Sequence, residues 1–562
     1  MAPVPSPVSV PSWLPLWPLA VLAGVAVSVA ILLRLTGWNA RWRRVLTERF
    51  VLGVPWGTVL TGLGVLAVYL LLQGGWQHPN DPLVVPFRAW SYLYPLGIVT
   101  APFAHNGLGH LTGNLVATLA YAPLVEYAWG HYPEESVSAD SPLASPAVRV
   151  LAVPAAVLVV GLLTGLFAVG PVIGFSGVVF AFAGFALVRY PIATVVAMAG
   201  RGVIDLLYTA LRNPVTEASG GGRSFGTPWW ANIAIQGHAL GLFLGVALGW
   251  LYVTRRDRRP SPGRLWLAAL IFAVGQSLWA LYWYRGGVTY VLFRGAGVVA
   301  VFLLAALVTA AVTAGDGLLV ESVGLPGTDR SVTVDLHGRE AAVGLFLALT
   351  LATAAAAIPI NLATVSGGPT GDGVQVRGYE ITYAEDVPDQ YVSAVPITAF
   401  GETTQVNTSG VIVVNEGRKV FRTAISKPRL AFQGSGSVTV GGLGWRRTVD
   451  VNRQAWDPVG NGSVYKVFLN PPDGDRRLVF TSDPKTAEPR VGGRRVSVRP
   501  SRQAFDLVVH GGNETLGETT LPTEGSNVTA GGLTFNRSGG RVFAIRDGTR
   551  VRIADSSGRG NG

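Results

Sequence analysis

Over its first two thirds the chain alternates long apolar stretches with short polar breaks. Apolar runs occupy residues 13–35, 51–73, 110–130, 147–171, 174–189, 191–210, 231–253, 264–284, 288–313 and 340–363. Most reach the about 20 residues that a helix needs to cross a hydrocarbon core of about 30 Å. The pattern therefore predicts an all-α polytopic membrane region. The runs 174–189 and 191–210 are short, with Arg189, Tyr190 and Pro191 at their junction. From about residue 366 the pattern changes. No span-length run remains, and short β-branched stretches such as Val411–Val414 and Ser437–Val440 alternate with turn signals at Gly434-Ser435-Gly436, Gly441-Gly442 and Gly511-Gly512. That reads as an all-β, sandwich-like domain.

Four segments follow. Residues 1–50 hold an extra N-terminal span and a basic loop, 51–253 a six-span core, 254–365 three further spans, and 366–562 the β-rich domain. Composition supports the membrane reading: 49% of residues are hydrophobic and only 14% charged, against about a quarter charged in soluble domains. Met1–Ser12 lacks a basic stretch and Trp13–Leu35 is too long for the core of a signal peptide, so that run is expected to be retained. The formal net charge of +11 is concentrated in part beside the spans. Arg34, Arg41, Arg43, Arg44 and Arg49 stand against Glu48, and Arg255, Arg256, Arg258, Arg259 and Arg264 against Asp257. Such clusters set orientation through the positive-inside rule, which places residues 36–50 and 254–263 in the cytoplasm and removes the need for a nucleic-acid partner. Six spans separate the clusters, an even number, so both can share one side. Ten spans then put the termini and the β domain outside a cell membrane. Five N-x-[ST] sequons, at Asn407, Asn461, Asn513, Asn527 and Asn536, all fall in that domain and are candidate glycosylation sites. Residues 74–109 form a long outer connection whose Trp76, Trp90, Tyr92 and Tyr94 suit the membrane interface. The chain has no cysteine, which excludes disulfides, thiol catalysis and Cys-ligated metals.

Three local patterns carry candidate chemistry. Gly174-Phe175-Ser176-Gly177 opens the fifth run. Small residues there serve helix packing in the ordinary case, but a serine at a helix start also has backbone N–H groups beside it that can stabilise an oxyanion. His238 lies inside an apolar run, with Gly241 and Gly245 about one and two turns on along the same face. A buried, satisfied histidine is the plain reading. The functional one is a base that takes the Ser176 proton, without which a serine hydroxyl is a poor nucleophile. His110 and Asn114 are i and i+4 on one helix face, two donors able to meet at one point, with His105 just before them. They either satisfy each other or hold a developing oxyanion, where one donor is worth about 3 kcal/mol. A metal site from His105, His110 and His238 has no carboxylate or thiolate support, so no metal or cofactor is expected.

Taken together these residues resemble the rhomboid family of intramembrane serine proteases. That family has H-x-x-x-N in one helix, G-x-S-G opening another and H-x-x-G-x-x-x-G in a third; here they stand as His110/Asn114, Gly174/Ser176/Gly177 and His238/Gly241/Gly245, in that order. His105 also fits, as does Glu126, four residues before Gly130, where the family often has a structural Glu-x-x-x-Gly. The resemblance covers roughly residues 51–253. It implies a six-helix core, a dyad of Ser176 and His238 with no third carboxylate, an oxyanion site from His110, Asn114 and the Ser176 backbone N–H, and transmembrane proteins as substrates. One departure stands out: where many members carry a Trp-Arg pair in the first outer loop, this chain reads Leu96-Gly97-Ile98-Val99-Thr100. Two other classes compete, a catalytically inactive rhomboid-like protein that captures helices and a transporter using the same polar residues. The chain shows no paired-half repeat of the kind transporters carry. For the β domain, docking of substrate or of a cell-surface partner is the expectation.

Overall fold

The computed structural model describes residues 16–36, 46–129, 145–212, 227–255, 259–315, 318–324, 331–362, 364–369, 372–399 and 401–557. Arg41, Arg43, Arg44, Gly130, Arg256, Asp257 and Arg258 lie outside the described residues. Contacts divide the chain into a helical unit, Met1–Trp283 with Leu292–Asn361, and a β unit, Tyr284–Val291 with Leu362–Gly562.

Every apolar run carries a helix. In chain order they are α1 (Leu16–Thr36), α2 (Trp56–Ala67, continued by a π turn at Val68–Leu72), the short α3 (Pro95–Thr100) inside the long connection, α4 (Leu108–Trp129), α5 (Pro146–Phe167), α6 (Ser176–Arg189), α7 (Pro191–Arg212), α8 (Ile235–Arg255), α9 (Pro262–Gly275), α10 (Arg294–Thr313), and α11 (Gly338–Ala355) followed by α12 (Ala357–Asn361). Among the described residues six candidate spans are long and apolar enough by themselves: α1, α5, α7, α8, α10 and the joined α11–α12. The helices α2, α6 and α9 are shorter apolar ones. Pro146, Pro191 and Pro262 open their helices, where the missing N–H would have had no intrahelical partner.

Two expected spans are corrected. The run 264–284 is helical only to Gly275, and the run 288–313 only from Arg294. Between them Ser277 takes a left-handed φ of 58°, and Tyr282–Tyr284 pairs with Tyr290–Leu292 as a hairpin. Aromatic residues made this stretch look apolar enough to span, but they favour strands.

The centre of the helical unit is α6, buried on nearly every face. It packs on α8 with almost no side chain between the backbones. A Cβ on Gly241 would come closer than 3 Å to the Gly177 carbonyl, and one on Gly245 would do the same at Ala181. In reverse, a Cβ on Gly184 would strike the Leu242 carbonyl. Glu126, buried on α4, accepts hydrogen bonds from the Gly57 and Thr58 N–H groups at 3.0 and 2.9 Å and from the Thr58 hydroxyl at 3.0 Å. These N–H groups open α2 and have no intrahelical acceptor, and a negative charge there complements the helix dipole. Glu126 is thus a brace between helices.

The β unit holds three main antiparallel sheets. One runs 420–426, 407–415, 379–388, 374–376; the largest runs 477–481, 464–470, 445–458, 549–556, 541–546, 533–538, 527–530; the third runs 485–486, 495–500, 505–511, 514–520. Val496, Val498, Leu507 and Val509 of the third share a core with Leu533, Phe535, Val542, Ala544 and Ile553 of the largest. Two faces closing on one core make the expected sandwich-like packing. Arg285 pairs with both carboxylate oxygens of Glu402, inside this unit. Of the sequon residues, Asn407, Asn461, Asn513 and Asn527 are exposed, and Asn536 is half-buried and bonded to Asn527.

The α6–α8 contact makes a direct prediction. Gly245→Ala should destabilise the protein by about 1–3 kcal/mol, the usual cost of overpacking. Gly24→Ala, where nothing lies within 4 Å, should not. Thermal unfolding of both variants in detergent checks the contrast.

Candidate active site

Ser176 is the first residue of α6, and the turn before it is forced. Gly174 has φ +131°, a Cβ there would run into the His110 ring, and its N–H donates to the Ala101 carbonyl at 2.9 Å. Phe175 is fully buried and anchors the helix start. On α8, His238 stands one turn before Gly241, at the level where the two backbones touch. The imidazole Nε2 then lies 2.8 Å from the Ser176 hydroxyl oxygen. Its other nitrogen, Nδ1, is buried with no hydrogen-bond partner among the described residues. The ring is held instead by Phe180, stacked on it at 4.3 Å between centroids and 13° between planes. Phe180 is i+4 from Ser176, so both emerge from one face of α6. The sequence reading missed it because an apolar residue in an apolar run raises no signal.

His110, Asn114, Ser176 and His238 all line one cavity of about 720 Å³. Asn114 Nδ2 is 3.0 Å from His105 Nε2. His105 is fully buried, and its ring meets His110 edge-on at 5.1 Å. Its backbone is held on both sides by Gln73, which accepts from the His105 N–H at 2.8 Å and donates to its carbonyl at 2.8 Å. A smaller cavity of about 40 Å³ lies beside the pair, walled by Thr164, Gly165, Ala168, Gly174, Ser176 and His238 among others.

The connections framing the cavity are pinned by polar side chains that the sequence reading did not select. Arg88 donates to the Pro171 carbonyl at 3.0 Å and to Asn106 Oδ1 at 2.8 Å. No Trp-Arg pair stands at 96–100; those residues fall in α3. Gln236 accepts from the Val169 N–H and donates to the Phe167 and Thr353 carbonyls, each at 2.8 Å. Asn361, at the end of α12 and buried, accepts from the Gly170 N–H at 3.2 Å and donates to the Leu166 and Ala168 carbonyls at 3.2 and 2.9 Å. Its own carbonyl accepts from the Tyr92 N–H and the Ser91 hydroxyl. Arg201, midway along α7, also lines the cavity.

Residues 93–255 match the family model of the rhomboid domain. This segment is a rhomboid domain. No curated protein and no solved structure matches the chain. The rhomboid domain runs from just before α3 to the end of α8 and holds Ser176, His238, His105, His110 and Asn114. Gln73 and Asn361, which fix its connections, lie outside the matched segment.

Asn361→Ala should strand the Gly170 N–H and the Ala168 carbonyl, while the Leu166 carbonyl keeps the Tyr92 hydroxyl as a donor. At about 1–3 kcal/mol for a stranded buried group, the thermal midpoint of the helical unit in detergent should fall clearly. An unchanged midpoint would show that the bonds carry no net stability.

Proposed function

We propose that the protein is an intramembrane serine endopeptidase, with Ser176 as nucleophile and His238 as its general base. The observation that carries this reading is the 2.8 Å contact, at the wall of a cavity, between the Ser176 hydroxyl and His238 Nε2, both residues of the rhomboid domain. A substrate helix presents carbonyls already engaged in its own hydrogen bonds, so it must unwind locally before attack, and helix-breaking residues in it help. His238 takes the Ser176 proton as the oxygen attacks the exposed carbonyl carbon. Charge gathers on the carbonyl oxygen and is met by His110, Asn114 and the N–H groups at the start of α6, whose first turn has no intrahelical acceptors. His238 then protonates the leaving amine, the C–N bond breaks, and water releases the acyl group by the reverse proton path. His105 serves by orienting Asn114. The 40 Å³ cavity beside the pair admits only a small side chain or a water.

On this reading the cavity opens to the outer side and the β unit is extracytoplasmic, as the arginines flanking α1 and α8 indicate through the positive-inside rule. Transmembrane proteins in the bilayer are the substrates, and the β unit docks them or a cell-surface partner. The inactive alternative is separated by one experiment. The wild-type protein in detergent should be labelled by a fluorophosphonate probe, and Ser176→Ala and His238→Ala should each lose labelling and cleavage of a transmembrane reporter while keeping the wild-type thermal midpoint. Full proteolysis by Ser176→Ala would end the assignment. Asn114→Ala should fall less far than either, because other donors remain.

A further inference from the structure

Arg201 is a charge that the proposed chemistry leaves unused. It is the eleventh residue of the 22-residue α7, which puts it about 15 Å from either end at a rise of about 1.5 Å per residue. Measured from the Tyr190 turn that joins α6 to α7, Arg201 stands about 16 Å along one helix and Ser176 about 21 Å along the other, a difference of about one turn. Both side chains line the 720 Å³ cavity.

Its contacts inside the protein are weak. Nη1 is 3.4 Å from Gln276 Oε1, and Nε is 3.5 Å from Asp205 Oδ2, whose side chain is 49% exposed. Both distances lie at the outer limit of a hydrogen bond. Nη2 reaches toward α4, within 3.8 Å of where a Cβ on Gly113 would be. The guanidinium therefore lies between α7 and α4, at the wall of the cavity. Among the described residues no aspartate or glutamate lines that cavity, whereas Arg88 and Arg201 do. Arg88 is already engaged by Pro171 and Asn106. A charge at this depth is costly unless it meets a counter-charge, and a planar fork of donors fits a carboxylate bidentately.

We propose that Arg201 is a specificity-determining residue that binds the side-chain carboxylate of an Asp or Glu in the substrate segment held in the cavity. The proposal rests on the protease reading above. The depth of Arg201 separates it from lipid headgroups, so the carboxylate comes from the substrate chain itself. It selects substrates whose acidic residue falls within reach when the scissile carbonyl is at Ser176.

The test uses the full-length protein in liposomes and a set of single-span reporters, identical except that Glu, Gln, Ala or Lys is placed in turn at each position within two helical turns of the cut. Wild type should cleave the Glu reporter at least about ten-fold faster than its Gln isostere at one position or more. Arg201→Gln should lose that preference, Arg201→Lys should keep part of it, and Arg201→Glu should favour the Lys reporter. Fluorophosphonate labelling of Ser176 should survive in Arg201→Gln, which separates selection from folding. If Arg201→Gln failed to label, the wild-type preference and the Arg201→Lys and Arg201→Glu arms would decide. Equal cleavage of Glu and Gln reporters by wild type, or an undiminished preference in Arg201→Gln, overturns the proposal and leaves the protease reading intact. A wild type that neither labels nor cleaves overturns both.

Discussion

The site depends on how closely two helix backbones can approach inside a membrane. Lipid tails are as apolar as the helices they surround, so association rests on packing and close contact rather than on escape from water. Glycine at 241 and 245 lets α8 sit against the carbonyls of Gly177 and Ala181. A hydrogen bond between Ser176 and His238 follows from that separation, because neither side chain is long enough to bridge a wider gap. The same contact explains why α6 can be short: enclosed on nearly every face, it meets protein rather than lipid and need not match the bilayer's thickness.

A second constraint arises from the first. A polar cavity at membrane depth needs irregular backbone to frame it, and such backbone is tolerated only where its polar groups are satisfied by protein or by water. The connections 73–107 and 167–175 are of this kind. Gln73, Arg88, Gln236 and Asn361 supply the partners, each bonding to main chain that no helix or sheet covers. Three of these, Gln73, Arg88 and Asn361, come from outside the segment matched as a rhomboid domain, so the end of α2, the connection after it and α12 belong to the framework of the cavity. The β unit follows Asn361 directly in sequence, which makes this asparagine the last fixed point of the helical unit.

What could be read from the sequence was what is local. Apolar periodicity and length located the helices of the ten apolar runs but not the short α3 inside the long connection, and they failed where aromatic residues at 282–292 extended two runs while forming a hairpin. Ser176, His238, His110 and Asn114, which line one cavity, stood out in the sequence because each sits in a short pattern with glycine or a polar partner one turn away. Asn361 was not, since its partners lie 191 to 270 residues earlier and it looks like the polar end of an apolar run. Gln73 was hidden in the same way, 32 residues from His105. Phe180 had the right spacing from Ser176, but nothing in the chain announces that a phenylalanine will meet an imidazole. Arg201 lies inside the apolar run 191–210 and carries no local pattern, because its meaning depends on which cavity it faces.

Among the described residues no third side chain bonds to the pair of Ser176 and His238, and the packing gives a reason for that economy. A carboxylate behind Nδ1 would be a second buried charge, with a desolvation cost of several kcal/mol, in a region already short of water. What such a carboxylate does elsewhere is to fix the tautomer and hold the ring in its plane. Here the ring plane is fixed by Phe180, an apolar neighbour that costs nothing to bury and leaves Nε2 aimed at the hydroxyl. Stacking does not choose between the two nitrogens. On the proposed mechanism Nε2 receives the Ser176 proton, so the ring's own proton sits on Nδ1, where no acceptor stands among the described residues. The two-residue arrangement is therefore held in place by packing alone. Its competence rests on the rigidity of the α6–α8 contact.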